Sequence, residues 1–204
     1  MKKTTAFSIL GFAFFLIFQI SCKENPVETV AVRDDEGRLE RFERNKKDFA
    51  KEGLYQKLSP EGKLLEEAHY HLNVLEGEKK YFYPNGSVES VEMYKNGQFD
   101  GKFKKFFENG KIQLEQDFVN GTMQGFSIRY YPNGTVEERV TMVENEEKGP
   151  FQEYYDNGNL KTEGSYAPSD KESALEQGEL KEYDQNGVLV RTADCVDGRC
   201  TTRK

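Results

Sequence analysis

The sequence predicts an all-β protein, an elongated single sheet of about six antiparallel β-hairpin repeats of 24 residues each. Three observations predict it. One glycine recurs every 24 residues over five copies and, after five extra residues, in a sixth; another follows it nine residues later, and polar and apolar residues alternate along the segments between them. A period kept over so many copies is typical of a repeat array, in which each copy is stabilised by its neighbours. The first glycines are Gly53, Gly77, Gly101, Gly125, Gly149 and Gly178, and the second are Gly62, Gly86, Gly110, Gly134, Gly158 and Gly187.

Each copy is expected to be a hairpin, closed by an Asn-Gly turn in five copies and by Glu61-Gly62 in the first. Asn-Gly is the preferred dipeptide of a two-residue type I′ turn, because both central residues need positive φ. With Asn109-Gly110 as that turn, Phe107 faces Ile112. The second Asn-Gly of a copy, such as Asn120-Gly121, is expected to begin the connection to the next hairpin. The same register places opposite charges across the strands in the pairs Lys102–Asp117, Lys104–Glu115, Lys79–Glu92 and Arg129–Glu138.

Two apolar rows are predicted to share one face of this sheet, because side chains alternate between the faces of a strand. The first row is Leu64, Val88, Ile112, Val136, Leu160 and Leu189, opposite Tyr83, Phe107, Tyr131 and Tyr155. The second row is Tyr70, Tyr94, Phe118, Met142 and Tyr166. Stacked copies would turn these rows into continuous apolar ribs.

The other face is predicted to carry one aromatic row with polar cross-strand neighbours. This row, called the aromatic stripe from here on, consists of Phe82, Phe106, Tyr130, Tyr154 and Tyr183. Contiguous exposed aromatic side chains usually mark a binding surface, so the stripe is the candidate binding site. The alternative is that curvature of the sheet buries the stripe as a second core.

The N-terminal residues 1–21 have the pattern of an export signal. Lys2 and Lys3 precede an apolar run at 6–18 that is too short to span a bilayer. Ser21-Cys22 after this run resembles the lipobox of bacterial lipoproteins, which implies lipid attachment at Cys22 and a tether over residues 22–34. Lys23 favours the outer membrane over the inner one. An ordinary secretory signal and an uncleaved anchor are the alternatives.

The remaining two cysteines are close together in sequence. If Cys22 is lipidated, Cys195 and Cys200 are left as a pair, and Gly198 between them permits a tight turn. We expect a disulfide that forms a C-terminal clip in residues 194–204. A redox or metal-binding pair is the alternative.

The repeat pattern also resembles a known family. Gly-x-aromatic-x-x-aromatic-aromatic-x-Asn-Gly-x-aliphatic, followed by Asn-Gly-x-x-x-Gly, is similar to the bacterial variant of the MORN repeat over residues 53–193. The array departs from this pattern at Lys79 and Ser127, which replace an aromatic residue. Residues 35–52 are either a degenerate half repeat or a helical cap formed by Leu39, Phe42 and Phe49. The resemblance implies binding or scaffolding modules, and some proteins of this kind are antitoxin-like.

Few residues suggest catalysis. Glu67, His69 and His71 alternate on one strand and are a weak candidate metal site, with no fourth ligand in the pattern. We therefore expect no cofactor and no enzymatic activity. The formal net charge of −7 argues against a nucleic-acid partner.

The expected function is a non-enzymatic, membrane-anchored module of the bacterial cell envelope that binds a protein or peptide. An antitoxin or immunity-like protein that occludes a toxin is the first alternative. A metal-dependent enzyme using Glu67, His69 and His71 is the second.

Overall fold

The computed structural model describes residues 26–167 and 174–203, and every regular element in them is a β-strand. The 18 strands form one open antiparallel sheet, which confirms the predicted fold class. No helix in this part of the chain is long and apolar enough to span a bilayer. The first nine strands are β1 Val27–Arg33, β2 Leu39–Asn45, β3 Lys51–Leu58, β4 Leu64–His71, β5 Val74–Leu75, β6 Gly77–Phe82, β7 Val88–Lys95, β8 Gln98–Phe99 and β9 Gly101–Phe106. The others are β10 Ile112–Val119, β11 Thr122–Tyr130, β12 Val136–Val143, β13 Glu146–Tyr154, β14 Leu160–Ala167, β15 Leu175–Glu176, β16 Gly178–Tyr183, β17 Leu189–Val196 and β18 Arg199–Thr202.

Successive strands pair with one another along the whole sheet. The two-residue strands β5, β8 and β15 extend the start of β6, β9 and β16, so each long strand meets the next long strand. The sheet therefore begins at β1 and ends at β18, and both are edge strands among the described residues.

The N-terminal part of the sheet corrects two expectations. Residues 27–33 were expected to be a tether, but they form β1, because Thr29, Val30 and Val32 favour a strand. The helical-cap alternative for residues 35–52 is wrong, since Leu39–Asn45 is β2 and pairs with both β1 and β3. The array thus has a seventh hairpin at its N-terminal end.

The two kinds of turn stand where they were predicted, but the turn that closes the hairpin does not have the predicted conformation. The Gly110 N–H donates to the Phe107 carbonyl at 2.8 Å, and the Phe107 N–H donates to the Lys111 carbonyl at 2.8 Å. Gly110 has a φ of 80°, but Asn109 is not among the residues with positive φ. This is a type I turn followed by a left-handed glycine, so the type I′ prediction for Asn109-Gly110 is wrong. The type I′ turns are the connections, where Asn120 and Gly121 have φ of 48° and 80°.

A bulge after the glycine turn changes which residues share a face. Phe106, not Phe107, pairs with Ile112, and the register then shifts by one residue before Leu114 pairs with Lys105. The same shift recurs in the other copies from β3–β4 to β16–β17. Beyond the bulge the four predicted cross-strand pairings are confirmed, although Lys79 makes its ion pair with Glu66 rather than with Glu92.

The bulge therefore corrects the predicted faces. Directly opposed residues of an antiparallel pair point to the same face. The row that contains Val88, Ile112 and Val136 thus lies on the same face as the aromatic stripe, not with the row that contains Tyr94 and Phe118. We call the face with the stripe the stripe face and the other the core face.

The buried side chains of the array lie on the core face. They include Tyr55, Ala68, Val140, Met142, Phe151, Leu180, Ala193 and Cys195. Large residues stand opposite small ones, as Phe151 does opposite Gly164 and Leu180 opposite Ala193. Aromatic stacking connects the copies, with the ring of Phe99 5.0 Å from that of Phe118.

Lys79 occupies the aromatic position of its copy on this core face. Its ammonium lies 3.0 Å from Glu66, and both side chains are largely buried. Burial alone would lower the pKa of Lys79, but hydrogen bonds to Tyr81 and Glu66 outweigh it and raise the pKa. The ion pair is therefore held in its charged form, and it interrupts the apolar rib without leaving a buried charge unpaired.

Candidate functional site

The aromatic stripe lies at the end of each hairpin that carries the glycine turn. Each stripe residue stands opposite an aliphatic residue of the following strand. The pairs are Phe82–Val88, Phe106–Ile112, Tyr130–Val136, Tyr154–Leu160 and Tyr183–Leu189. The five stripe side chains are half-buried, and Leu189 at the C-terminal end is 49% exposed. Stacked copies thus form one continuous apolar row that keeps part of its surface open.

The hydroxyl groups of the stripe tyrosines contact polar groups on the same face. Tyr130 donates to Glu115 at 2.9 Å, and Tyr183 donates to Glu163 at 2.9 Å. Burial and the hydrogen bond to Glu115 raise the pKa of Tyr130 to about 12. Tyr130 therefore stays neutral near pH 7, and its ring lies beside a fixed acceptor. A partner would meet apolar rings bordered by ion pairs, because Lys104 lies 3.2 Å from Glu115 and Lys181 lies 3.9 Å from Glu163.

The neighbouring aromatic row has a different role, which the sequence reading missed. The Tyr83 hydroxyl donates to the Phe106 carbonyl of the next copy at 2.7 Å. Tyr131 donates to the Tyr154 carbonyl at 2.9 Å in the same way. Tyr155 repeats the contact with the Tyr183 carbonyl at 2.9 Å. These bonds tie each copy to the backbone of the next stripe residue and so fix the spacing of the stripe.

Two adjoining depressions lie on the stripe face, farther from the glycine turns than the stripe itself. The first, about 380 Å³, is lined by Phe126, Arg139, Thr141, Pro150 and Gln152, among others. The Arg139 guanidinium lies 3.9 Å from the centroid of the Phe126 ring, which is 41% exposed. The second, about 410 Å³, includes Pro150, Gln152, Glu163, Ser165, Glu179 and Lys181 in its lining. The sequence reading missed this area because Phe126 occupies a position that is charged in several other copies.

The sequence matches the MORN repeat variant family over residues 51–71, 75–96, 99–120, 147–167 and 176–194. These segments together span just over half of the chain. The chain belongs to the MORN repeat variant family. MORN repeats generally act as protein-binding or membrane-binding modules and are typically non-catalytic. No curated protein matches the chain at a significant level.

The MORN array also includes a copy outside these matches. Residues 122–143 form the hairpin β11–β12 with the same bulge and register as the others. Ser127 stands at its usual aromatic position and faces Val140 on the core face. A small residue is tolerated there because Phe151 of the next strand pairs with Val140 from the other side.

The candidate metal residues lie in the MORN array without forming a cluster. Glu67, His69 and His71 alternate onto one face of β4, which is the stripe face, and Glu67 accepts a hydrogen bond from Gln56 at 3.0 Å. His71 Nδ1 lies 2.8 Å from Glu52 Oε1. Within residues 26–167 and 174–203, no three His, Cys, Asp or Glu side chains come together as metal ligands.

The cysteines fall in two different regions. In the structure a disulfide joins Cys195 to Cys200, which face each other across β17 and β18. Cys195 is 2% exposed and belongs to the core cluster, so the disulfide attaches the last strand to the core. Cys22, the predicted lipidation site, lies outside the described residues, as do the signal residues 1–21.

Proposed function

We propose that this MORN protein is a non-enzymatic binding module of the bacterial cell envelope that holds an extended segment of a partner protein on its stripe face. The observation that carries the proposal is the continuous, half-exposed row of stripe residues and their aliphatic partners. The buried core lies on the other face, so the row is available to a partner. Tyrosine is among the residues that are enriched at the energetic hot spots of protein interfaces.

The dimensions of the row suit an extended peptide. Neighbouring strands lie about 4.8 Å apart, so the two strands of a copy separate successive rings by about 10 Å. Five rings then span about 40 Å, the length of about 12 extended residues. Glu115 and Glu163 beside the tyrosines are already paired with Lys104 and Lys181, so we expect the apolar side chains of the partner segment to make the main contacts.

The proposed location is the membrane surface. A lipid on Cys22 would stand five residues before Val27, the first residue of β1. Five extended residues reach at most about 17 Å, so the sheet would begin close to the membrane. Lys23 favours the outer membrane. Cells labelled with a palmitate analogue should lose the label in the Cys22→Ala variant, and equal labelling of both proteins would overturn the anchor.

The binding site is tested by two adjacent positions on opposite faces. A photo-crosslinking phenylalanine analogue replaces Tyr130 on the stripe face or Arg129 on the core face. The Arg129 side chain is 55% exposed, so accessibility alone does not favour Tyr130. In native envelopes we expect a defined adduct from position 130 that is absent from position 129 and is lost on Phe106→Ala. The same adducts from both positions, or none from position 130, would contradict the proposal.

A further inference from the structure

One copy of the array departs from the charge pattern of the stripe face. Three residues after the aliphatic row that runs from Leu64 to Leu189, three of the other five copies have a glutamate: Glu67, Glu115 and Glu163. The hairpin β11–β12 has Arg139 there, opposite Ile128. Ile128 shares a face with Tyr130 and stands about 7 Å from it along β11. A single positive charge therefore lies beside the stripe, in a row that is otherwise acidic or neutral.

No group in the described part of the chain neutralises this charge. Glu115 and Glu163, in the copies on either side, are already paired with lysines. Arg139 faces the neutral residues Ile128 and Gln152 on the two adjacent strands. Within residues 26–167 and 174–203, no carboxylate lies within ion-pair distance of its guanidinium. Arg139 is also exposed, so the charge is available to a partner.

Phe126 holds this guanidinium beside an open depression. The guanidinium lies 3.9 Å from the centroid of the Phe126 ring, a contact that uses none of the N–H donors of arginine. One copy earlier, the equivalent residues Lys102 and Asp117 form an ion pair at 2.8 Å. Phe126 and Thr141 cannot form such a pair. The depression of about 380 Å³ that they line therefore stays open next to Arg139.

We infer that this depression is a subsite for a carboxylate, which an aspartate or glutamate of the partner segment supplies and Arg139 binds. The inference rests on the proposed function, because the segment that lies on the stripe provides the acidic side chain. Arginine presents N–H donors in a fork that matches the two oxygens of a carboxylate. Phe126 fixes the guanidinium before binding, which reduces the conformational entropy lost in the complex.

The subsite sets where the segment lies along the stripe. The stripe repeats from copy to copy, so apolar contacts alone would allow the segment to shift by a whole copy. Arg139 occurs in one copy, and the protein as a whole has a formal net charge of −7. An acidic side chain is therefore attracted at this one place and repelled by the molecule elsewhere, which gives the segment a single register.

Peptide selection by the full chain tests the inference. A displayed library of random peptides of about 12 residues is selected on wild type. We expect enrichment of peptides that combine apolar residues with one aspartate or glutamate at a fixed spacing. In fluorescence anisotropy, replacing that acid by lysine should weaken binding to wild type at least about tenfold. Arg139→Glu, which restores the residue of the neighbouring copies, should reverse this preference.

Arg139→Gln and Arg129→Gln are matched variants for the same measurement. Both replace an exposed arginine, but Arg129 lies on the core face and pairs with Glu138 at 2.9 Å. Arg139→Gln should bind the acidic peptide at least about tenfold more weakly, whereas Arg129→Gln should bind it as wild type does. Thermal unfolding checks that both variants are folded.

Failure of this inference differs from failure of the proposed function. Peptides that lose binding on Phe106→Ala, but bind wild type equally well with acid or lysine, would overturn the subsite and leave the binding module intact. Acidic peptides that bind Arg139→Gln as tightly as wild type would also overturn the subsite. If no peptide is enriched, or none depends on Phe106, the proposed function fails and the inference fails with it.

Discussion

Gly164 shows how single residues adapt the repeat to its core. A Cβ added at this position would lie 2.8 Å from the Phe151 ring and 2.9 Å from Leu180. Its φ is not positive, so close packing rather than backbone conformation requires the glycine. The equivalent positions hold Ala68 and Ala193, which are also small and stand opposite large residues.

We expect Gly164→Ala to lower the free energy of unfolding by about 1–3 kcal/mol through overpacking. Gly158→Ala is the control, because Gly158 has a φ of 88° and open space around it, so its loss comes from backbone strain. Adding Phe151→Leu should recover stability for Gly164→Ala and not for Gly158→Ala. Denaturant unfolding measures both effects, and a Gly164→Ala variant as stable as wild type would contradict the packing account.

Phe107 is the position where the chain omits a contact between copies. Tyr83, Tyr131 and Tyr155 each donate to a carbonyl of the next copy, and Phe107 occupies the same place without a hydroxyl. We expect Phe107→Tyr to donate to the Tyr130 carbonyl and to stabilise the fold by about 0.5–1.5 kcal/mol. Tyr131→Phe should lose a similar amount. A loss of stability in Phe107→Tyr, measured by thermal unfolding, would mean that the copies are not equivalent there.

At the scale of the element, the two Asn-Gly turns use asparagine for different reasons. In the glycine turns the asparagine side chain forms the contacts. Asn133 accepts from the Thr135 N–H at 2.9 Å and donates to the Asp156 carbonyl of the next turn at 2.7 Å. In the connections the backbone conformation matters, since Asn120 has a φ of 48° and its N–H donates to Asp100.

Glycine substitution should therefore have opposite consequences in the two turns. Asn133→Gly removes both side-chain bonds, and we expect it to cost about 1–2 kcal/mol. Asn120→Gly keeps the N–H and suits positive φ, so we expect a change of only a few tenths of a kcal/mol. Equal losses in denaturant unfolding would show that the turn assignment is wrong.

The sequence predicted the pairing of the two hairpin strands correctly at positions far from the turn. Lys104–Glu115 and Arg129–Glu138 pair as predicted because charge complementarity fixed that register. The turn was not predictable from the dipeptide, because Asn-Gly also suits a type I turn followed by a left-handed glycine. The extra residue at the bulge offsets the extra residue in the turn. The strand pairs far from the turn are therefore the same with or without the bulge, and the charge pairs could not reveal it. Only Ile112 and its equivalents moved to the other face.

One sequence feature could have predicted how successive connecting turns contact each other. The residue before most repeat glycines is acidic or an amide, and it accepts a hydrogen bond from the backbone of a connecting turn. Glu76 accepts from the Asn96 N–H at 2.7 Å, and Gln177 accepts from the Asp197 N–H at 3.2 Å. Lys148 breaks this pattern in the copy whose end, residues 168–173, lies outside the described part of the chain.

At the scale of the whole molecule, a single-layer sheet has one face for its core and one for other contacts. The backbone N–H and carbonyl groups of the array form hydrogen bonds between neighbouring strands. The buried cluster lies on the core face. The apolar residues on the stripe face lie outside this cluster, as the proposed binding role requires. The stripe was predicted correctly as a row of one face, but its aliphatic neighbours were not, because the bulge was missed. The proposal that this row binds a partner requires that it contribute little to the free energy of unfolding.

Unfolding free energies of Phe151→Ala and Tyr154→Ala test this division most directly. Both residues lie in β13, Phe151 on the core face with 4% exposure and Tyr154 half-buried in the stripe. The Tyr154 carbonyl that accepts from Tyr131 remains in the variant. We expect Phe151→Ala to cost about 3–5 kcal/mol and Tyr154→Ala about 1 kcal/mol or less, with the partner adduct at position 130 lost only in Tyr154→Ala. A Tyr154→Ala variant as unstable as Phe151→Ala would show that the stripe is a second core and contradict the account.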